Sequence, residues 1–558
     1  MPKKKVAITV AGAVSLGSYE AGVLYEVLDA IRQHNDNPAT TDDERIVIDV
    51  LTGASAGGMT AIILAQKLLY SANEFQGPYD NPLYNTWVKR ISLAGLQATQ
   101  DGEPALDSLF SSDLIEAISE ETLKQRYATT PPAPAQPHIA VEGSVSVGVA
   151  LTNLNGVAYG YPVTPGGKFT YIDYGDQLTR QAVASTCDTA DFWEPLRQAA
   201  VACGAFPVAF RPQDVQRSAK TEADDYSGQN LEPWPHDPAT FAYSDGGILQ
   251  NQPLGMAKNL VDMIDLHMHQ ESRFYLFVSP HAKDPAANDS FHAANADYLH
   301  LFQRLLDVVM GQSGFQDWIT AKGMNQRVAL LDARADGLKD AILSGAIDVA
   351  SLAKTSQSIL KLFFPDNQHL SPGATGPETL IQAQDRIAVQ YQGEMNALGG
   401  VPGRADAFRD AVLAFETAAG LGARDHMTIY GVTATASQLA GAGLQAFLGF
   451  FDQRFRDHDY DVGRMHAHQV LSDPVLAQPG ALGPFRYTGS EIRPIDSRLD
   501  GLKLGQVPVA DLQLFKAGMR KRLNEMLREL WGPYVSLAAI PGSDLILDSV
   551  LNHMIAKM

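Results

Sequence analysis

The chain has 558 residues, 45% of them hydrophobic and 19% charged, with a mean hydropathy of -0.11. That balance excludes wholesale disorder and a multispanning membrane protein, and the length exceeds one ordinary core, so at least two substructures are expected. A formal net charge of -20, from 43 basic and 63 acidic residues, argues against a nucleic-acid partner and gives no general attraction to anionic lipid surfaces.

Lys3, Lys4 and Lys5 precede an apolar run as in a secretory signal, but Val6–Val10 is too short for a signal's hydrophobic region and polar Ser15, Ser18 and Glu20 follow. A first β-strand is the reading, ended by the turn Gly12–Gly17. Val23, Leu24, Val27, Leu28 and Ile31 then recur at spacings of three and four, with Glu20, Glu26, Asp29 and Arg32 between them, which predicts a helix. Ile46–Leu51 is a second short apolar strand, turned by Thr52–Gly57 into a small-residue helix that includes Ala61–Leu69. Strand, turn and helix repeated twice predict a parallel α/β sheet covered by helices.

Residues 71–137 lack a clear strand and end in a proline-rich run, so they read as an insertion with some helix. Strand character returns at Ile139–Leu154, followed by the turn signal Asn155-Gly156. Phe192–Cys203 reads as a helix terminated by Gly204 and Pro207. Residues 213–239 are polar and read as a surface loop; Phe241–Ser244 and Phe274–Ser279 are further strand candidates. Cys187 and Cys203 are too few for a disulfide framework or a zinc site. A reducing, cytoplasmic setting follows from them, with peripheral contact to membranes left open. Beyond residue 285 helical patterns dominate. The division expected is a sheet domain over 1–285, with insertions near 71–137 and 213–239, and a helical extension over 286–558.

Three short motifs carry the chemistry. Gly53-Ala54-Ser55-Ala56-Gly57 is a G-x-S-x-G between strand and helix, where a tight turn exposes a serine hydroxyl above a helix N-terminus. The turn Gly12-Ala13-Val14-Ser15-Leu16-Gly17 ends a strand and begins a helix, so its N–H groups point outward at the positive end of a helix dipole. They suit a tetrahedral oxyanion, a phosphate, or no ligand at all. Asp245-Gly246-Gly247 follows a strand, where an aspartate can project into a site without crowding; Asp-Gly is equally a common turn.

In order and in surrounding sequence these three elements resemble the patatin-like phospholipase family. Ala150–Leu154, Ala202–Pro207 with Phe210, and Asp245–Ile248 with Asn251 and Pro253 add to the likeness, which spans roughly residues 5–280. The resemblance implies a three-layer α/β/α sheet domain and a serine acyl hydrolase acting on acyl esters of lipids. It also implies a Ser55–Asp245 dyad, an oxyanion hole from Gly12, Ala13 and Val14, and no metal or cofactor. An acyltransferase with the same dyad, or a lipid-binding or regulatory module with little catalysis, is the alternative; an α/β-hydrolase triad would need a histidine, for which His466 and His468 are the candidates. One departure stands out. The family's loop carries three glycines and an arginine, whereas this one has Ala13, Val14 and Leu16 and resembles a variant G-x-V-S-L-G branch. Backbone donors survive that change, but β-branched Val14 does not easily adopt the positive φ that glycine permits.

Gly431–Phe451 carries no charge and reads as a buried helix or helix pair rather than a membrane-touching element. The Phe450–Arg464 segment that follows, dense in Arg and Asp, reads as a structural ion-pair network, with a lipid-headgroup or active-site contact as the other reading.

Overall fold

A computed structural model describes residues 3–98, 107–163, 166–226, 231–264, 272–280, 291–292, 298–364, 368–369, 378–418, 427–478 and 480–531. The apolar run at the start forms β1 (Lys4–Val10) and is followed by α1 (Gly17–Asp36). The second unit forms β2 (Ile46–Gly53) and α2 (Ala56–Tyr70). Apart from partly buried Lys4, Lys5 and Asp49, both strands are buried on both faces, as continuous apolar runs in a covered parallel sheet must be. Alternate residues of β1 enter different cores. Val6, Ile8 and Val10 join the large cluster with α1 and α2. Ala7 instead meets Ala257, Leu260 and Val261 of α4 (Leu254–Ile264). Helices therefore cover both faces, and the architecture is a three-layer α/β/α sandwich.

The remaining strands are β3 (Ser144–Val163), β4 (Gly167–Val183), β5 (Gln213–Arg217), β6 (Ala239–Asp245), β7 (Ser272–Ser279) and β8 (Ile429–Thr433). Their order is β8-β7-β1-β2-β3-β6-β5, with β4 also paired to β3. Pairs from β8 to β3 are parallel, as the repeated strand–turn–helix pattern predicts. The pairs β3–β4, β3–β6 and β5–β6 are antiparallel, so the sheet is mixed. β4 lies along β3 over Ser144–Thr152. A strand has two edges, so β2 and β6 share the other edge, β2 opposite Ser146–Val149 and β6 opposite Leu151–Asn153. The end of β2 and the end of β6 consequently meet head to head. This arrangement builds the site.

Three local expectations are corrected. Asn155-Gly156 is an irregularity within β3 rather than a turn that ends the strand. Gly156 takes φ +73°, and the Asn153 side chain accepts the amides of residues 155 and 156, both at 3.0 Å. Residues 231–238 form a partly exposed loop, as expected, but residues 213–226 do not. They contain β5 and a short helix (Ala223–Tyr226), and Arg217 is fully buried with Glu222 at 2.6 Å, Asp225 at 3.1 Å and Asp176 at 3.4 Å. Polar composition signals exposure only while charges are unpaired; paired charges can be buried. Gly431–Phe451 is not a helix pair. It holds most of β8, a 3₁₀ turn at Ala436–Gln438, a short helix at Gly443–Ala446 and another 3₁₀ turn at Leu448–Phe450.

Beyond residue 285 the described chain is largely helical, as expected, and it also supplies one strand to the sheet. Its first part is helical: α5 (Tyr298–Leu343) and the helices Val349–Phe363, Leu380–Gln390 and Arg404–Ala418 share their own apolar cluster around Ile342, Leu360, Ile387, Phe408 and Val412. Its second part is built into the sheet domain. β8 extends the sheet beside β7, and α6 (Gln453–Leu471) crosses α1 at close range. A Cβ on Gly22 would overlap the Tyr460 backbone, and one on Gly463 would overlap that of Tyr19. The charged side chains of α6 serve this packing. Arg464 meets Glu26 at 2.9 Å with both side chains inaccessible, and Arg493 bridges Asp457 and Asp461, each at 2.8 Å. Among the described residues no helix is long and apolar enough to cross a membrane.

Candidate active site

Ser55 lies between β2 and α2 with φ 51° and ψ -128°, a conformation that L-residues rarely adopt. Such strain persists only when the surroundings over-determine it. Here the neighbours leave no room for relaxation. A Cβ on Gly53 would overlap the Gly57 backbone, and one on Gly57 would overlap Val10 and Ala11. The Ser55 carbonyl accepts the amides of Gly58 (3.0 Å) and Met59 (3.2 Å), starting the helix directly beneath the hydroxyl.

Asp245 ends β6. Gly53, at the end of β2, pairs with Val149, while Asp245 pairs with Leu151 on the same edge of β3. That register brings the Ser55 Oγ within 2.6 Å of the Asp245 Oδ2, to which it donates a hydrogen bond. The other carboxylate oxygen accepts the Gly247 amide at 2.7 Å. The backbone of Asp245 is held from two sides: its N–H donates to the Ala205 carbonyl (2.9 Å) and its carbonyl accepts the Thr152 hydroxyl (2.8 Å). Gly246 is required because a Cβ there would overlap the Ala150 backbone. Ala205 closes the small-residue end of α3 (Ala190–Cys203), which gives the Ala202–Pro207 segment a positioning function.

The carboxyl is completely buried, and loss of hydration pushes its pKa up from 3.8 to about 7, against the opposing hydrogen bonds from Ser55 and Gly247. A group poised there can accept a proton near neutral pH, which an ordinary carboxylate does poorly.

The loop Gly12–Gly17 lies against this pair. Gly12 donates to the Asn251 carbonyl at 3.0 Å, and its Cβ position would lie 3.1 Å from the Ser55 Cβ and overlap the Asn251 side chain. Asn251 also crowds Gly247, so its amide side chain separates the loop from the Asp-Gly-Gly turn. Val14 adopts φ 52° despite its β-branch, the conformation its sequence disfavours. Among the described residues the N–H groups of Ala13 and Val14, and that of Ala56 after the serine, have no hydrogen-bond acceptor. Unpaired donors beside a serine hydroxyl and a helix N-terminus can receive a developing negative charge.

His466 bonds Tyr19 (3.2 Å) and Gln438 (3.4 Å), and His468 bonds Tyr487 (3.0 Å), whereas the Asp245 carboxylate accepts from the Ser55 hydroxyl and the Gly247 amide. Two contacts near the site join segments that no local pattern connects. Trp318 of α5 donates to Gln252 at 2.7 Å, just past the Asp-Gly-Gly turn, and Ser15 is bonded to Ala446 and Gly449. Only the folded chain brings these distant segments together.

A three-layer α/β fold thus carries a serine–aspartate pair on a strand–helix turn. Residues 8–258 match the family model described as patatin-like phospholipase, so this stretch of the chain is similar to that family. An uncharacterized protein of Sinorhizobium fredii, y4iI, is 24% identical over 324 residues, with 45% of this chain and 45% of that protein covered. The chain thus spans less than half the length of the curated relative it matches. The crystal structure of VipD from Legionella pneumophila aligns with 61% of this chain and 56% of its own at 15% identity and a TM-score of 0.20. A superposition that loose adds nothing to the sequence match.

Proposed function

We propose that the protein is a serine acyl hydrolase that cleaves acyl esters of lipids through Ser55 and Asp245, without metal or cofactor. The match of residues 8–258 to the patatin-like phospholipase model supports the lipid-ester chemistry. The observation that carries the dyad is the 2.6 Å hydrogen bond from Ser55 to a buried carboxylate whose pKa is about 7.

In this mechanism Ser55 Oγ attacks the ester carbonyl as its proton passes to Asp245 Oδ2. The oxyanion forms toward the amides of Ala13 and Val14, with Gly12 providing the close approach. Collapse of the tetrahedral species expels the alcohol, which takes the proton from Asp245, and leaves an acyl-Ser55. A water molecule, deprotonated by the same carboxylate, repeats the sequence and releases the acid. One carboxylate serves both half-reactions because burial, rather than an imidazole, sets its basicity.

The test is fluorophosphonate labelling with ester and phospholipid turnover in wild type and Ser55→Ala. Label on Ser55 together with acid release that Ser55→Ala loses supports the reading. Folded wild type that takes no label and releases no fatty acid refutes it, and leaves a lipid-binding module. Acyl transfer to an added alcohol in preference to water identifies an acyltransferase instead.

A further inference from the structure

We infer that the segment Ala440–Phe450, from far along the chain, holds the Gly12–Gly17 loop in its working shape through Ser15, which makes Ser15 a positioning residue for the oxyanion hole. The inference rests on the reading of Ser55 and its neighbouring loop given above.

The loop cannot hold its own shape. Its positive-φ position is filled by Val14 rather than glycine, and a strained residue of this kind persists only under external constraint. The next residue supplies that constraint. Ser15 is completely buried; its Oγ donates to the Ala446 carbonyl and accepts the Gly449 amide at 3.1 Å. One hydroxyl thus ties both sides of the 440–450 segment to the residue after Val14. The fit is close. A Cβ on Gly449 would sit 2.5 Å from the Ser15 Oγ, and one on Gly441 would sit 3.0 Å from Leu16.

The clamp is itself anchored. Asp459 of α6 accepts the amides of Ala440 (2.7 Å) and Gly441 (2.8 Å), and it is completely buried. Arg456, also buried, donates to the carbonyls of Gly449 (2.8 Å), Phe450 (3.3 Å) and Val88 (2.9 Å). Ala446 sits at φ 68°, so a second non-glycine residue in the left-handed region faces the first across the Ser15 hydroxyl. α6 in turn is locked to α1, the helix that the loop begins, by the Gly22–Tyr460 and Gly463–Tyr19 crossings and the Arg464–Glu26 pair. A continuous path of buried contacts runs from α6 to Val14. The conformation that a glycine would adopt freely at position 14 is imposed here by tertiary contact.

The experiment uses the full chain and four variants, Ser15→Ala, Val14→Gly, the two combined, and Asp459→Asn. It measures kcat and KM on a soluble p-nitrophenyl ester, the rate of fluorophosphonate labelling at Ser55, and Tm. Ser15→Ala is expected to lower kcat and the labelling rate about 10- to 100-fold while KM changes less than about twofold, because an oxyanion hole acts chiefly in the transition state. Adding Val14→Gly is expected to restore most of that loss, since glycine takes positive φ freely. A Ser15→Ala enzyme within about twofold of wild type overturns the inference, as does a loss that Val14→Gly leaves untouched. If Ser15→Ala does not fold, Asp459→Asn carries the test: it loosens the clamp without touching the loop, and an unchanged kcat refutes the inference. A wild type that neither labels nor turns over instead removes the functional reading beneath it.

Discussion

Replacing Asp245 by asparagine is expected to abolish turnover and, at alkaline pH, to stabilise the protein. The carboxyl titrates at about 7 when folded and 3.8 when free, because complete burial penalises its charge. The native state therefore keeps a proton that the unfolded chain has released. A group whose folded pKa is raised gives stability that is complete below the unfolded pKa and is lost as pH rises through the folded one. The whole window is worth about 4 kcal/mol at about 1.36 kcal/mol per pH unit, and about 3 kcal/mol of it falls between pH 5 and 8.5. Asparagine does not titrate and escapes this loss. With a shift of about 2 °C per kcal/mol for a large unit, the variant's Tm relative to wild type should rise by about 5 °C between pH 5 and pH 8.5. Its kcat should fall by about 10²- to 10⁴-fold, the usual contribution of a general base. Wild-type kcat/KM should climb tenfold per pH unit below about 7 and level off above it. A Tm difference that is the same at both pH values, or a flat wild-type profile between pH 6 and 8, would refute the argument that burial sets this group's basicity.

Ser55→Ala should remove both label and turnover while leaving circular dichroism unchanged, because the site's backbone is held by Gly53, Gly57 and their neighbours rather than by the hydroxyl. Gly22→Ala should destabilise by about 1–3 kcal/mol, since its Cβ overlaps the Tyr460 backbone where two helices cross, and thermal melts would show it. Arg217→Met should cost about 3–5 kcal/mol by leaving Glu222 and Asp225 buried with weaker compensation; urea unfolding that matches wild type would refute that. Native protein should react with a thiol reagent at Cys187 and not at Cys203, whose buried thiol is pushed well above its ordinary pKa, and denaturant should expose the second.

What the sequence determined by itself was local. The runs Val6–Val10 and Ile46–Leu51, each followed by small residues and a helical pattern, specified two strands, two helices and the turn that carries Ser55, because period and turn chemistry act within a few residues. Asp245 was legible only by resemblance, since Asp-Gly alone reads as a turn. Its meeting with Ser55 depends on β6 sharing the edge of β3 with β2, a pairing between segments 190 residues apart. Polar residues 213–226 misled because their charges find partners only in the fold. Two properties of the site belong to the tertiary structure alone. The basicity of Asp245 comes from burial by surrounding elements. The positive φ of Val14 is held by a serine whose partner lies 431 residues away, and no local pattern can encode a constraint imposed from that distance.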